Sequence, residues 1–224
     1  MVDGVAYASL SEAIQAAAAS SSTVRLAGDG ESSGIAVAEG SDFVLDLNGH
    51  QLDVIGPGAG SKGTETNGLQ FLKDSTIVIK NGTLVFDDDR LKMGIQNYSN
   101  LTLDNVKVSG GDTIRYVVSN NFGNVVFKNG TSITAAEGRI AFDAWYGMHP
   151  DYYDGVNVTI ADDSVVISGP VEFGKANNAP AEMFATNASI TCPADTELDV
   201  HLLTTPCEWT DNGDGTKTLR YVSE

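Results

Sequence analysis

The chain has 224 residues, of which 42% are hydrophobic, so it can bury a substantial core in one elongated domain or two small ones. It carries 30 Asp and Glu against 13 Lys and Arg, which gives a formal net charge of −17. This balance argues against a nucleic-acid partner, whose phosphates need basic residues, and against docking on an anionic membrane. It is compatible with solubility through mutual repulsion, and also with a cation or a basic partner.

A short helix is predicted near the N-terminus, over residues 9–19. Ser9 is a good N-cap, and Glu12 three residues later completes a capping box. Apolar residues at helical spacing lie on one face of this helix: Leu10, Ala13, Ile14 and Ala17. We therefore predict that residues 1–22 form a capping segment, which covers the open end of the repeat array that follows.

A strand pattern then recurs along most of the chain. Apolar residues alternate in pairs, as in Leu45 and Leu47 followed by Leu52 and Val54. Equivalent units begin at intervals of 32, 24, 24 and 33 residues, at Leu45, Ile77, Leu101, Val125 and Val158. Alternation with a period of two indicates strands, and a repeat of roughly this length indicates a solenoid. The sequence therefore predicts an all-β fold, a parallel β-helix over residues 23–200.

Asparagine recurs at one phase of these units. Asn48, Asn81 and Asn129 are each followed by glycine, and Asn105 is the equivalent without the glycine. Asparagine tolerates a positive φ, and stacked amides can hydrogen-bond along a ladder. We interpret these four residues as structural turns.

Two of the longer intervals hold inserted loops, and one of these loops is rich in aromatic residues. Residues 143–155 are predicted to form a loop that carries Trp145, Tyr146, His149, Tyr152 and Tyr153. Aromatic side chains anchor protein interfaces and stack on sugar rings. The alternatives are packing of the loop on its own unit, contact with another protein, and contact with carbohydrate.

Two acidic runs are weaker candidates for chemistry. Asp87, Asp88 and Asp89 end a strand and read as a solvated loop, with weak calcium binding as the alternative. Asp162 and Asp163 offer a carboxylate pair for acid–base work, but no partner can be placed beside them. We predict no metal and no cofactor.

Residues 201–224 are predicted to form a C-terminal capping hairpin, because two β-prone runs flank the turn sequence DNGDGTK. Cys192 and Cys207 lie on either side of the start of this segment. A disulfide between them would close a loop of about 15 residues and stabilise the fold by about 3 kcal/mol. The alternative is that both are small buried hydrophobic residues.

The segments FVLDLNGHQLDV and STIVIKNGTLVF resemble coils of the right-handed parallel β-helix proteins of the pectate-lyase-like superfamily. The segment YASLSEAIQAA, followed by STVRLAGD, is similar to the N-terminal cap and first coil of β-helix modules in surface proteins of gut bacteria and their phages. The resemblance covers most of the chain. It implies a right-handed parallel β-helix of about seven coils with a short N-terminal capping helix and a C-terminal β-hairpin.

Enzymes of that superfamily are polysaccharide lyases and glycosidases. The galacturonases carry Asn-Thr-Asp, Asp-Asp, Gly-His-Gly and Arg-x-Lys motifs, of which only Asp162-Asp163 is matched here. The lyases hold calcium with acidic residues beside an Arg base, whereas this chain is poor in Arg. The resemblance implies the fold but not the activity, so we predict that the chain is not an enzyme.

We predict a non-enzymatic structural or adhesive module. No signal peptide follows Met1 and no C-terminal anchor is visible, which favours a phage virion protein of the capsid-decoration or fibre type. The expected partners are other virion or surface proteins and glycans, and we expect a homo-oligomer, with a trimer as the first choice. The alternatives are a fragment of a bacterial cell-surface adhesin and, third, a polysaccharide-degrading enzyme.

Overall fold

The computed structural model describes residues 1–60, 65–147 and 155–222. These residues form an all-β fold with two sheets, in which most neighbouring strands are parallel, and two short helices. The helices are α1 (Leu10–Ala18) and α2 (Ala181–Asn187). No helix within the described ranges is long and apolar enough to cross a membrane.

The larger sheet contains 13 of the strands. In chain order they are β1 (Thr23–Arg25), β2 (Gly30–Ser33), β4 (Asp42–Asp46), β5 (Gln51–Ile55), β7 (Thr76–Phe86), β9 (Asn100–Gly110), β11 (Asn124–Lys128), β12 (Ser132–Thr134), β14 (Val156–Ile160), β15 (Val166–Ser168), β17 (Ala188–Pro193), β19 (Cys207–Asp211) and β20 (Thr216–Tyr221).

The smaller sheet has seven strands, all of them parallel to their neighbours. In chain order they are β3 (Ile35–Val37), β6 (Asn67–Phe71), β8 (Met93–Asn97), β10 (Tyr116–Asn120), β13 (Ile140–Tyr146), β16 (Val171–Lys175) and β18 (Val200–Leu202). Their order in space is the same as their order in the sequence. Each new pass of the chain therefore adds one strand to the end of this sheet.

The chain visits the two sheets alternately, and each return to the larger sheet places a strand parallel to the one from the previous pass. The path β1-β4-β7-β9-β11-β14-β17 is built in this way. The predicted unit starts are Cα partners on successive strands from the second unit onward: Ile77, Leu101, Val125 and Val158.

The first predicted unit is out of phase with the others. Leu45 is the Cα partner of Ile79 and not of Ile77, so the predicted interval of 32 residues was wrong. The reason lies in the corner that follows β4. Four residues, 47–50, occupy that corner, whereas two residues, 81–82, occupy the equivalent corner within β7.

One hydrophobic core joins the two sheets and both helices. Phenylalanine fills much of it, and Phe127 of the larger sheet meets Phe142 of the smaller sheet edge-on, with ring centroids 5.5 Å apart. Burial of such a side chain stabilises the fold by about 2–3 kcal/mol. Six phenylalanines are buried almost completely: Phe71, Phe86, Phe127, Phe142, Phe173 and Phe184.

The N-terminal end of the core is covered as the capping pattern predicts. The backbone N–H of Glu12 donates to the Ser9 hydroxyl over 3.2 Å, and α1 buries Ala13, Ile14 and Ala17. The segment before α1 contributes as well, because the backbone of Val2 forms an antiparallel bridge with β1. This arrangement occupies the edge that the first parallel strand would otherwise leave open.

The C-terminal end is covered by the β19–β20 hairpin, whose second strand pairs antiparallel with β17. The sequence did not predict α2, which lies in the inserted segment 174–187 and buries Phe184. The Phe184 ring lies 5.0 Å from Phe173 and 5.7 Å from Tyr221, measured between centroids. The helix therefore joins the smaller sheet to the hairpin.

Candidate functional site

The four predicted turn asparagines lie at the corners of the larger sheet. Asn48, Asn81, Asn105 and Asn129 have φ angles of 56°, 58°, 56° and 55°, in the left-handed region. The Asn105 amide donates to the Asn81 side-chain oxygen over 3.2 Å, and the Asn129 amide donates to Asp104 over 2.6 Å. These amides hold adjacent strands together at the corners, which is a structural role.

The acidic run at residues 87–89 does not gather into a chelating group. Asp88 accepts hydrogen bonds from Arg90, at 2.8 Å from Nε and 2.6 Å from Nη2. These hydrogen bonds hold the pKa of Asp88 well below its usual range. Within the described part of the chain, no cluster of three or more His, Cys, Asp or Glu side chains could hold a metal ion.

The Asp162-Asp163 pair also lies at a corner, where Asp162 accepts a hydrogen bond from the backbone N–H of Asn129 over 2.8 Å. An Arg-x-Lys motif is in fact present, as Arg90-Leu91-Lys92, so the expectation that Asp-Asp alone matches was wrong. The two motifs follow β14 and β7, which are three strand spacings apart, or about 14 Å. The fold does not bring them together.

The predicted aromatic loop begins later than expected, because Trp145 and Tyr146 belong to β13. Tyr146 is a core residue, 2% exposed, with its ring centroid 6.1 Å from Phe122 and from Phe184. The prediction that it forms part of an exposed loop was therefore wrong. Trp145 is half-buried, whereas His149, Tyr152 and Tyr153 lie outside the described residues.

The predicted disulfide is not formed, and both cysteines are free thiols. Cys192 lies in β17 and Cys207 in β19, with β20 between these two strands. Two strand spacings are about 9.6 Å, which exceeds the Cα separation that a disulfide can bridge. The Cys207 thiol instead donates to the Thr204 carbonyl over 3.0 Å, and burial raises its pKa to about 11.

A row of polar side chains runs along the smaller sheet, with one position in each of its seven strands. Successive members are Cα partners in the strand register. We call this row the polar column, although its first member is an alanine: Ala36, Gln70, Gln96, Ser119, Asp143, Glu172 and His201.

The polar column lies on the outer face of the sheet. In each strand its member is followed by a residue on the opposite face, and several of these following residues are buried in the core, such as Phe71 after Gln70 and Ala144 after Asp143. Since side chains alternate between the two faces of a strand, the column points away from the core. Trp145 lies two residues after Asp143 and therefore belongs to the same outer face.

The middle of the polar column is linked by hydrogen bonds between strands. Gln96 accepts at its side-chain oxygen from the amides of Gln70 and Asn67, over 2.8 and 2.7 Å. The Ser119 hydroxyl donates to Asp143 over 3.3 Å. The column is therefore an ordered set of donors and acceptors, and its members lie one strand spacing, about 4.8 Å, apart.

Asp143 is the most unusual member of the polar column, since it is only 5% exposed although it lies on an outer face. Burial raises the pKa of its carboxyl group to about 7, and Glu172 acts in the same direction. A hydrogen bond from the backbone N–H of Asn120, at 2.7 Å, opposes that shift, as do the Ser119 hydroxyl and the charge of Arg115.

Glu172 lies beside Asp143 on the next strand and is held by Tyr116. The Tyr116 hydroxyl donates to the Glu172 carboxylate over 2.9 Å. Burial, together with this hydrogen bond, raises the pKa of Tyr116 to about 12. The Arg115 guanidinium carbon lies 5.0 Å from the centroid of the Tyr116 ring, a cation–π distance. Two carboxyl groups, a phenol and a guanidinium therefore meet at one place.

Sequence reasoning missed the polar column, because its members follow one another at intervals of 34, 26, 23, 24, 29 and 29 residues. Loops of different length enter between successive passes, so no fixed period relates the members. The one available signal was the polar residue inside an otherwise apolar run, as in IAFDAWY and VEFGK. Such a residue marks the outer face of a strand.

Comparison with known proteins assigns no family to the chain. No family model matches it, and no solved structure matches it. The chain is 28% identical over 86 residues to aspergillopepsin-2 of Aspergillus niger, a match that covers 38% of this chain and 30% of that protein. The chain thus spans less than a third of the curated relative that it matches.

Proposed function

We propose that the two sheets are faces of one right-handed parallel β-helix, in which each pass through the smaller sheet belongs to one coil. The alternation between sheets, the parallel register of successive passes and the single core support this proposal. Right-handed connections between parallel strands are the rule. Seven strands in the smaller sheet then correspond to seven coils, and α1 and the β19–β20 hairpin cap the two ends.

We infer that the chain is a non-enzymatic structural and adhesive module that binds a glycan chain along the polar column. The polar column is the observation that carries this inference. It supplies amide, hydroxyl and carboxyl groups in a straight row, and these groups donate to and accept from sugar hydroxyls. The half-buried Trp145 on the same face offers an aromatic surface for a sugar ring.

The setting that we propose for this module is the external surface of a phage virion, as a capsid-decoration or fibre-type protein that assembles as a homo-oligomer, with a trimer as the first choice. The net charge of −17 and the rigid row of parallel strands suit an exposed scaffold. A fragment of a bacterial cell-surface adhesin is the alternative setting for the same module.

Glycan binding is tested with an array of bacterial polysaccharides probed by the intact chain and by two variants. We expect Gln96→Ala and Trp145→Ala each to weaken binding about tenfold, because each removes one hydrogen-bonding or stacking contact. Gln51→Ala is the control, since Gln51 is an exposed glutamine of the larger sheet. Equal binding by all three variants would exclude the polar column as the glycan site.

The virion setting is tested by mass spectrometry of purified phage particles, of cell walls and of the soluble fraction from the source culture. Peptides of this chain in stoichiometric amount in the particles would support the virion setting. Peptides in the cell-wall fraction, attached to a longer polypeptide, would instead support the adhesin. Size-exclusion chromatography with light scattering tests the expected trimer on the purified chain.

A second candidate function, polysaccharide hydrolysis, is favoured by one observation, the Asp143–Glu172 pair. Neighbouring carboxyl groups of which one keeps its proton near neutral pH are typical of glycosidase sites. Release of reducing ends from any polysaccharide that the array identifies would support hydrolysis, provided that Glu172→Gln abolishes it. Binding without release would support the adhesive function alone.

A further inference from the structure

A groove of about 380 Å³ lies near the C-terminal end of the larger sheet, away from the polar column. One wall is the segment from Val165 to Ile167, which includes the start of β15, and the other wall is the segment 195–198. Asp163 lies at the entrance. We call this feature the β15 groove.

The β15 groove runs along an unpaired strand edge. β15 pairs with β12 on one side, and the structure describes no strand on its other side. The backbone N–H of Val166 donates to Thr131, and Ser168 accepts from Ala135, so both residues bond toward β12. In a parallel ladder the residue between them, Ile167, points its N–H and C=O the other way. Those groups face the groove.

The floor of the β15 groove is apolar and incompletely covered. Val165, Ile167 and Leu198 pack against the hydrophobic core but are only partly buried. Val166 is 53% exposed, the second-largest exposed fraction among the large apolar side chains described. An additional strand beside β15 would cover this surface, as each preceding strand of the sheet is covered by the next one.

The rim of the β15 groove is acidic. Asp163, Asp195 and Glu197 line it, and in the described part of the chain none of the three forms an ion pair. No Lys or Arg side chain lines the groove. The groove therefore combines a free strand edge, an apolar floor and negative charge.

We propose that the β15 groove binds an extended, basic segment of a partner protein, which adds to β15 as a further strand. Main-chain hydrogen bonds to Ile167 would provide affinity, as in other cases of strand addition. Apolar side chains on one face of the segment would cover Ile167 and Leu198, and Lys or Arg side chains on its other face would meet the acidic rim. A second copy of this chain suits the groove less well, because its net charge of −17 opposes contact with an acidic rim.

The probe for this proposal is a fluorescein-labelled peptide of about eight residues that alternates lysine with valine, and the matched control peptide alternates glutamate with valine. Binding to the intact chain is measured by fluorescence anisotropy. The test variant combines Asp163→Asn, Asp195→Asn and Glu197→Gln, which removes the rim charges and keeps the shapes. The control variant neutralises three exposed carboxylates elsewhere on the chain: Glu31, Glu39 and Asp112.

We expect the lysine peptide to bind the intact chain and the control variant, and to bind the test variant about tenfold more weakly, since three exposed charge pairs are lost. Hydrogen exchange should show new protection of the Ile167 amide when the peptide is bound. The proposal is overturned if both peptides bind alike, if the two variants bind alike, or if the Ile167 amide gains no protection. A change of the chain's own mass in light scattering, without peptide, would assign the groove to a second copy.

Discussion

At the scale of single residues, burial of Asp143 links the stability of the fold to pH. The pKa of this carboxyl group is about 7 in the folded chain against an ordinary value of 3.8, because burial disfavours its charged form. Between these two values the folded state binds more protons than the unfolded state does. The contribution of Asp143 to the free energy of unfolding therefore falls as the pH rises from about 4 to about 7, and is constant above that range.

Replacement of Asp143 by Asn should remove this pH dependence. The variant keeps a side-chain oxygen that can accept from the backbone of Asn120 and has no charge to bury. We expect its free energy of unfolding at pH 8 to exceed that of the parent by about 2–4 kcal/mol, and the difference to vanish near pH 4. Urea unfolding across this pH range measures both.

Asp112→Asn is the control for that prediction, since Asp112 is exposed and should change the stability little at any pH. A difference between Asp143→Asn and the parent that stays the same from pH 4 to pH 8 would show that Asp143 does not titrate in this range.

At the scale of structural elements, the corners decide how one strand segment leads to the next. Within β7 and β9 the chain turns at Asn81 and Asn105 without leaving the sheet, because the left-handed conformation at one residue redirects the strand. The stacked amides then connect the corner of one pass to that of the next. Conformation and hydrogen bonding thus make separate contributions at the same position.

Two substitutions at Asn105 separate these contributions. Asn105→Gly loses the amide but adopts the left-handed conformation readily, whereas Asn105→Ala loses the amide and is strained there by about 1–2 kcal/mol. We expect the alanine variant to be the less stable of the two, the reverse of the usual order of alanine and glycine in strands and helices. Urea midpoints measure the order, and an alanine variant as stable as the glycine variant would contradict the argument.

At the scale of the whole molecule, one continuous core extends from α1 to the C-terminal hairpin. Repeat arrays can lose cooperativity when neighbouring units couple weakly. Here the large side chains bridge the two sheets and the passes, as Phe127 does with Phe142 and Phe184 does with Tyr221. This continuity favours unfolding of the chain as a single unit.

The two tryptophans allow this cooperativity to be measured at two places, because Trp145 lies in β13 and Trp209 in the terminal hairpin. We expect single-tryptophan variants, Trp209→Phe and Trp145→Phe, to report the same urea midpoint once their own effects on stability are subtracted. Adding Phe127→Ala to each should lower the free energy of unfolding by about 3–5 kcal/mol and shift both midpoints together. A shift at Trp145 alone would show that the hairpin unfolds independently.

The sequence by itself determined the strands, the capping helix and the corners. Alternation of apolar residues marks a strand facing a core, Ser9 with Glu12 marks a helix start, and an asparagine between two strands marks a left-handed corner. Each of these signals is local, so a short window of sequence contains it. The all-β class and the parallel arrangement followed from the repetition of these signals along the chain.

The tertiary structure alone decided which distant residues are neighbours. Loops of unequal length separate the passes, so the register that aligns Ser119, Asp143 and Glu172 has no fixed period in the sequence. The same register places β20 between Cys192 and Cys207, which prevents the disulfide that their sequence separation allowed. It also places Tyr146 in the core, because the pairing of β13 with β16 extends the strand to that residue. Strand pairing is a long-range choice, settled by hydrogen bonding and core packing across passes, and local composition does not encode it.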